Sequence, residues 1–362
     1  MLNGTGDKKQ LNQALRVFFG DALRITLRRP GQALYFIRTL RWLFRAAQKR
    51  SQLKKQGLTV PPIIIFSITN RCNLQCQGCY AQTLNSEIEN ELSDIELSRI
   101  VQEAEEAGVS FFVIAGGEPF LRRELLHITE MHPQMIFFIF TNGLLIDESA
   151  ISILKKQKNA IPLMSLEGYR DETDLRRGEG TYQIVRGTME RLKHEGVFFG
   201  TSLTLTRNNF DILTSESFTK DFFDVGCRFF LYLEYTPITE GTESWVLTRS
   251  QRERMRELMQ IYRKKFASLF IAVPWDEDDV GGCLSAGRGF VHINAAGDVE
   301  PCPFAPFSDS NVRDVPLIDA LQSELFVRIR AVPELSKENG DGCILWKERE
   351  RVQALLEVKV DV

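Results

Sequence analysis

The sequence predicts an α/β fold built on parallel strands, and three observations support this prediction. Short apolar runs typical of buried strands alternate with helical patterns through the middle of the chain. Six such alternations occur, which favours parallel strands joined by right-handed crossovers. Polar or glycine-rich segments follow several of the runs, at the strand ends where closed α/β barrels place their sites.

The predicted strands are six segments: Pro62–Thr69, Ser110–Ala115, Ile136–Thr141, Pro162–Leu166, Phe198–Thr206 and Phe229–Tyr235. Helical patterns lie between them, the first over Ser93–Ala107. Ser93 suits the N-cap of this helix, since its hydroxyl can accept a hydrogen bond from a backbone N–H that has no partner within the helix. Further along, Ala296-Gly297-Asp298 lies between Val291-His292-Ile293 and Val299, which predicts a tight hairpin.

Length and charge indicate how the chain is organised. A chain of 362 residues with 43% hydrophobic and 26% charged residues can bury one large core and carry an appendage. Residues 1–60 contain thirteen Lys and Arg against two Asp, a net charge of +11, whereas residues 61–362 carry −14. This asymmetry predicts a boundary near residue 60. We expect a basic helical segment over 1–60, a barrel over 61–250 and a smaller C-terminal domain over 251–362.

The basic segment contains two helical patterns, Leu11–Leu27 and Gln32–Gln48, which combine aromatic and arginine side chains. Two interpretations remain open. Helices of this composition suit an anionic membrane surface, and they equally suit a position against the barrel with their arginines in solvent or beside an acidic neighbour.

No charge-free apolar stretch reaches the roughly 18 residues of a membrane span, and no signal-peptide pattern opens the chain. We therefore expect a cytoplasmic protein whose membrane contact, if any, is peripheral and at the inner face. No recognised nucleic-acid-binding module is present, so we expect no nucleic-acid partner.

The strongest chemical feature is the segment Cys72-Asn-Leu-Gln-Cys76-Gln-Gly-Cys79-Tyr80, which follows the first predicted strand. Three thiolates on one short loop can hold three irons of a [4Fe–4S] cube and leave the fourth iron open to a small molecule. Seven cysteines in a large chain without a secretory pattern indicate metal or catalytic use in a reducing compartment. A zinc knuckle or a plain redox cluster is the alternative.

Four further short motifs follow, each at or after the end of an apolar run. They are Gly116-Gly117-Glu118-Pro119, Thr141-Asn142-Gly143, Ser165-Leu166-Glu167-Gly168 and Arg176-Arg177-Gly178-Glu179-Gly180. Together with the cysteine loop, this ordered set resembles the radical S-adenosylmethionine (radical SAM) superfamily. Glu167 departs from that pattern, since the family has Asp at this place.

The resemblance implies a partial (β/α)6 TIM-like barrel in which Cys72, Cys76 and Cys79 hold a catalytic [4Fe–4S] cluster. SAM would bind the open iron through its amino and carboxylate groups. Further SAM contacts implied by the resemblance come from these residues: Tyr80, Gly116, Gly117, Glu118, Asn142, Ser165, Glu167 and Arg177. A reductant such as ferredoxin or flavodoxin would supply the electron that cleaves SAM. The resulting 5′-deoxyadenosyl radical would take a hydrogen atom from the substrate.

A second group of cysteines, Cys283, Cys302 and Cys343, lies in the C-terminal third of the chain. The spacing from Gly297 to Cys302 resembles the auxiliary-cluster domains called SPASM and twitch, which implies a second [4Fe–4S] cluster. Three thiolates leave one iron without a cysteine, so substrate, a water-derived ligand or another side chain remains open for that position. Three unrelated buried cysteines or a structural zinc site are the alternatives.

The sequence therefore predicts an enzyme that makes an oxidative change, a dehydrogenation or a cross-link, in an unidentified peptide, metabolite or lipid. A radical epimerase and a lipid-modifying enzyme at the membrane surface are the alternative enzyme classes. Cys227 is the candidate hydrogen donor of an epimerase, but its place just before the sixth strand favours a core position. An iron–sulfur electron carrier is the non-enzymatic alternative. The glycine motif and Tyr80 favour the enzyme, because a carrier needs no SAM cradle.

Overall fold

The computed structural model describes residues 30–84, 90–337 and 342–357. The first part of the chain forms α1 (Pro30–Lys55), β1 (Ile63–Ser67), α2 (Tyr80–Leu84), α3 (Asp94–Ala107), β2 (Phe111–Ala115), α4 (Leu125–Met131), β3 (Ile136–Thr141), α5 (Glu148–Gln157), β4 (Ala160–Leu166), α6 (Arg170–Arg177) and α7 (Thr181–His194). It continues with β5 (Gly200–Leu205), α8 (Phe210–Leu213), α9 (Glu216–Val225), β6 (Phe229–Glu234), α10 (Arg249–Lys265), β7 (Leu269–Val273) and α11 (Trp275–Asp278). The remainder is β8 (Phe290–Ile293), β9 (Val299–Glu300), α12 (Leu317–Ala320), α13 (Glu324–Ala331), α14 (Ile344–Lys347) and α15 (Arg349–Glu357).

The described strands form one nine-stranded sheet in the order β7-β6-β5-β4-β3-β2-β1-β8-β9. Every neighbouring pair from β7 to β8 is parallel, and the β8–β9 pair is antiparallel. The sheet curls into a half-barrel with helices between successive strands. The α/β class and the partial TIM-like barrel predicted from the sequence are confirmed.

The six predicted strands correspond to β1 through β6, with ends that differ by one or two residues. The predicted hairpin is also present, since His292 pairs with Glu300 and Ile293 with Val299 across β8 and β9. The sequence analysis did not include β7, which extends the sheet beside β6, or the parallel pairing of β8 with β1. Both strands come from residues 251–362, so this part of the chain joins the barrel sheet at its two edges. The division into three domains stays a prediction.

The two faces of the sheet differ in burial, as β3 illustrates. Phe137 and Ile139 are fully buried in the large core that the helices cover. Phe138 and Phe140 point to the other face, where they pack with a smaller apolar cluster and stay partly exposed. Because side chains alternate along a strand, this second face is the concave wall of the half-barrel.

Helix α3 begins as the sequence predicts. The Ser93 hydroxyl accepts a hydrogen bond from the amide of Glu96, and the Glu96 carboxylate accepts one from the amide of Ser93. This reciprocal pair is a capping box, which satisfies two backbone donors at the helix start.

Helix α1 contains the predicted helix Gln32–Gln48 and packs on the barrel through its C-terminal half. The Arg50 guanidinium donates to the carbonyl oxygen of Gly108 and, at 2.9 Å, to the hydroxyl of Ser110 at the start of β2. The other predicted helix, Leu11–Leu27, lies outside the described residues. None of the described helices has the length and apolar character needed to cross a membrane.

Candidate active site at the carboxyl end of the half-barrel

The loop that carries the first three cysteines is anchored at its start by the glycine motif after β2. The amide of Gly117 donates to the carbonyl oxygen of Thr69 at 2.7 Å, and the amide of Glu118 donates to that of Arg71 at 2.8 Å. A Cβ atom at Gly116 would lie 2.2 Å from the Thr69 oxygen, and one at Gly117 would lie 2.1 Å from the Arg71 oxygen. Only glycine permits this approach, so the motif fixes the chain immediately before Cys72.

Glu118 connects the ends of β2 and β3. Its carboxylate accepts hydrogen bonds from the amide of Asn142 at 2.7 Å, the hydroxyl of Thr141 at 2.8 Å and the amide of Phe120 at 3.0 Å. Asn142 in turn donates from its side chain to the Asn73 side-chain oxygen at 2.8 Å, and the same nitrogen lies 4.0 Å from the Cys72 sulfur. The residues that the sequence analysis took from three separate motifs therefore meet around the cysteine loop.

A buried ion pair follows β4. The Glu167 carboxylate lies 2.7 Å from the guanidinium of Arg177 and 2.7 Å from that of Arg176, and all three side chains are largely buried. Arg176 also pairs with the cysteine loop: its carbonyl accepts from the amide of Gln77, and its guanidinium donates to the Gln77 carbonyl, both at 3.0 Å. The positive charge of Arg176 is therefore held against the loop that carries Cys76.

Two further predicted SAM-contacting residues have different surroundings. Tyr80 is the first residue of α2, and its ring packs edge-on against Phe304 with centroids 5.2 Å apart. Ser165 lies on β4 opposite Ser202 of β5 and is partly exposed on the concave wall. Tyr80 thus contacts the C-terminal part of the chain, whereas Ser165 faces the space inside the half-barrel.

The charges of the first three cysteines act on one another. Burial is the main cause that raises the pKa of the Cys72 thiol, and the charges of Glu118, Cys76 and Cys79 raise it further. At Cys76, burial raises the pKa and the nearby Arg177 guanidinium lowers it. All three thiols are free and partly exposed. They are therefore close together, beside a positive charge that favours the thiolate form.

The fold also brings Cys283, Cys302 and Cys343 together, although they are distant in sequence. Burial raises the pKa of Cys302 far above its ordinary value, and the charges of Cys343 and Cys283 raise it further. Burial likewise raises the pKa of Cys283, with added contributions from Glu277 and Cys343. All three are free cysteines. The three thiols therefore lie near one another in the fold.

Several residues of the site were missed by the sequence analysis. Glu91 accepts from the Thr69 hydroxyl at 2.8 Å and the Asn70 amide at 2.7 Å, so it braces the start of the cysteine loop. Asn73 was also missed, and Arg176 was quoted in a motif without a role. Arg176 could have been found, since it adjoins Arg177. Glu91 belongs to no recognised motif, and only the fold brings it to the cysteine loop.

The half-barrel carries a three-cysteine loop after its first strand, a glycine motif after its second strand and a buried arginine after its fourth. This is the arrangement that the resemblance to the radical SAM superfamily implies. Comparison with protein-family models agrees, because residues 66–212 match the Radical SAM superfamily. Residues 66–212 thus match a radical SAM domain, which supports SAM radical chemistry in this part of the chain.

Three curated relatives share this domain. The Fe-coproporphyrin III synthase of Methanosarcina barkeri is 32% identical over 165 residues, which cover 43% of this chain and 41% of the relative. The AdoMet-dependent heme synthase of the same organism is 23% identical over 310 residues, or 77% of this chain and 88% of the relative. The mycofactocin maturase MftC of Mycolicibacterium smegmatis is 27% identical over 269 residues, or 69% and 66%.

Among solved structures, SuiB of Streptococcus suis bound to its precursor peptide SuiA superposes with a TM-score of 0.63. The superposition covers 79% of this chain and 70% of SuiB, at 21% sequence identity. This similarity supports the fold of the half-barrel.

The cofactors of this family are a [4Fe–4S] cluster and SAM, and the donor set fits the cluster. Cys72, Cys76 and Cys79 supply three free thiols from one loop whose charges interact. Among the residues that the structure describes, no three Cys, His, Asp or Glu side chains close around a point that a single metal ion would occupy.

Proposed function

We propose that this enzyme carries out an oxidative radical modification, a dehydrogenation or a cross-link, with the help of a second [4Fe–4S] cluster held by Cys283, Cys302 and Cys343. The observation that carries the proposal is the convergence of three thiols from three separate loops, of which Cys283 and Cys302 are buried and Cys343 is partly buried. Tyr80 supports it as well. The charges of Cys79 and Cys302 both raise the pKa of Tyr80, after the larger effect of burial, so this side chain is near one cysteine of each group.

With its cluster and SAM bound, the first site supplies the reductive cleavage of SAM and a 5′-deoxyadenosyl radical that removes a hydrogen atom from the substrate. The protein's own part is to position and to shield. The glycine motif and Glu91 fix the start of the cysteine loop, and Arg176 fixes its middle. Arg177 holds positive charge beside Cys76, which favours the thiolate that an iron requires.

The assignment of SAM contacts to Tyr80, Gly116, Gly117, Glu118, Asn142, Ser165, Glu167 and Arg177 is part of this proposal. Glu118 and Glu167 also accept from protein donors, so in addition to contacting SAM they position Asn142 and Arg177. The partner protein that supplies the electron is a reductant such as ferredoxin or flavodoxin, as the sequence resemblance implies.

For the substrate, a peptide is the first candidate, because the similar structure SuiB is bound to a precursor peptide and the relative MftC is a maturase. A porphyrin is the second candidate, because the two M. barkeri relatives are Fe-coproporphyrin III and heme synthases. The concave wall suits apolar surface in either case. Phe140, Leu233 and Val273 are partly exposed there, and Ser165 of β4 lies on the same wall.

A radical epimerase that uses Cys227 is disfavoured by the position of this residue. Cys227 is fully buried, and its thiol donates to the Phe229 carbonyl oxygen at 3.2 Å. Burial raises the pKa of this thiol to about 12. A thiol enclosed in the helix-covered core cannot meet a substrate on the concave wall.

A lipid-modifying enzyme at the membrane surface remains an alternative, and helix α1 is the part of the chain on which it depends. The exposed side chains of α1 include Phe44, Arg41 and Arg45. Cosedimentation with anionic vesicles at low and high salt separates this alternative from a helix that only covers the barrel, since electrostatic membrane binding fades with salt.

The test of the second cluster is the iron content of the anaerobically reconstituted full-length chain. Replacement of Cys283, Cys302 and Cys343 by Ala should lower the iron from about eight to about four per chain. Cys227→Ala is the matched control, because it removes a buried thiol from outside both groups and should leave the iron unchanged. Equal iron in the wild type and the triple variant would refute the second cluster.

A further inference from the structure

The middle of the cysteine loop packs against the segment 235–245, which follows β6. A Cβ atom at Gly78, the residue before Cys79, would lie 2.6 Å from the hydroxyl oxygen of Tyr235 and 2.9 Å from the ring of Trp245. Both distances are well below the roughly 3.5–4.0 Å of a favourable contact. Gly78 also has φ +63°, in the left-handed region that favours glycine. The loop therefore passes over two aromatic side chains at a place with no room for a side chain of its own.

Tyr235 is fixed where it meets the loop. It is buried, and its amide donates to the carbonyl oxygen of Leu205, at the end of β5, at 3.0 Å. Its hydroxyl donates to the side-chain oxygen of Thr242 at 2.9 Å. The guanidinium of Arg176 lies 5.7 Å from the centre of its ring, within the range of a cation–π contact. The ring cannot turn away from Gly78 without losing these contacts.

Trp245 is held at the neighbouring strand end as well. Its carbonyl accepts from the amide of Arg207, two residues after β5, at 2.7 Å. Its ring is partly exposed and packs against that of Tyr235, with centroids 5.3 Å apart. The two rings thus form one unit that is anchored on the ends of β5 and β6.

Contacts on either side of this aromatic pair also tie the cysteine loop to the barrel mouth. The amide of Gln77 donates to the carbonyl oxygen of Arg176, in the helix after β4, at 3.0 Å. In α2, the hydroxyl of Thr83 lies 3.0 Å from that of Thr239, and the Thr83 amide donates to the Cys79 carbonyl at 3.2 Å. The loop that leaves β1 therefore crosses the mouth and rests on the segments that follow β4 and β6.

We infer that Tyr235 and Trp245 are positioning residues for the SAM-cleaving cluster. They hold the turn at Gly78, and this turn sets the distance between the Cys76 and Cys79 sulfurs, which bind two of the irons. Side chains that hold metal ligands in place contribute to metal affinity although they do not touch the metal. The inference concerns the first cluster alone and does not depend on the second.

The test asks whether a side chain at Gly78 and the aromatic pair compete for the same space. In the full-length chain, Gly78→Ala should lower the iron after anaerobic reconstitution by about four per chain, because the added methyl group displaces the loop. This loss is the same whether or not the second cluster exists. Combining Tyr235→Phe with Trp245→Leu removes both atoms that the methyl group would meet, so Gly78→Ala in this background should retain most of that iron. Far-UV circular dichroism checks that each variant folds.

Without Gly78→Ala, the Tyr235→Phe, Trp245→Leu variant should still assemble the cluster. It should release iron to a chelator about tenfold faster than the wild type, because the turn has lost its support. Its capacity to form 5′-deoxyadenosine should be lost at the same faster rate, since this reaction depends on the first cluster.

Gly241→Ala is the matched control. Gly241 has φ +81°, and a Cβ there meets nothing within 4 Å. The variant therefore has the backbone strain without the collision, and it should bind as much iron as the wild type. If Gly78→Ala behaves like Gly241→Ala, or loses as much iron with the aromatic pair replaced as with it present, the pair does not hold the turn. A wild-type rate of iron release from the Tyr235→Phe, Trp245→Leu variant would overturn the inference as well.

Discussion

Gly117 lies so close to the carbonyl oxygen of Arg71 that a Cβ atom at Gly117 would be 2.1 Å from it. The Gly117 amide donates to the carbonyl of Thr69, two residues before Arg71. The glycine motif after β2 therefore fixes the backbone between the end of β1 and the first cysteine, Cys72. This backbone contact gives the glycines a role in the site whether or not they also contact SAM.

Gly117→Ala should displace the backbone at Arg71 and with it Cys72. The iron of the reconstituted chain should fall from about eight to about four per chain, because only the cluster of this loop is lost. Gly187→Ala is the control: a Cβ there meets nothing within 4 Å, and alanine inside helix α7 should add about 0.5–1 kcal/mol of stability. Equal iron in both variants would contradict this role of Gly117.

Glu167 balances two buried guanidiniums, and its removal should be costly. Glu167→Gln leaves Arg176 and Arg177 without their shared counter-charge, which should lower the free energy of unfolding by about 3–5 kcal/mol. Chemical denaturation of the cluster-free chain measures this. The control is Glu190→Gln, since its pair with Arg186 is solvent-exposed and should be worth under about 1 kcal/mol. Similar losses in both variants would show that the Glu167 pairs are no stronger than surface contacts.

The sequence predicts the parts of this site that depend on local pattern. The apolar runs specify β1 to β6, and Cys72, Asn142 and Arg177 each follow a run, so their convergence at one end follows from the parallel sheet. Pairings between distant segments are not encoded locally, which is why β8 beside β1 was missed. Glu91 could not be found for the same reason, since a glutamate on a short polar segment is ordinary until the fold brings it to Thr69 and Asn70.

The capping box of α3 predicts a pH dependence of stability. Hydrogen bonds from Ser93 hold the pKa of Glu96 at about 2, against an ordinary 4.5. A carboxyl group with a lowered folded pKa contributes stability above its unfolded pKa and loses that contribution as the pH falls toward the folded value.

Glu96→Gln should therefore destabilise the cluster-free chain at neutral pH, and its difference from wild type should shrink as the pH falls from about 4.5 toward about 2. Denaturant titrations at several pH values follow this difference. Glu106→Gln, at the other end of the same helix, should show a small and constant difference. A Glu96→Gln difference that does not change with pH would exclude the lowered pKa as its cause.

The central claim is that Cys72, Cys76 and Cys79 hold the cluster that cleaves SAM. The most direct measurement is the formation of 5′-deoxyadenosine by the anaerobically reconstituted chain with SAM and dithionite, compared with the variant in which these three cysteines are Ala. The wild type should form 5′-deoxyadenosine, and the variant should form none while it retains about four irons per chain in the auxiliary cluster. Formation of 5′-deoxyadenosine by the triple variant would contradict the account.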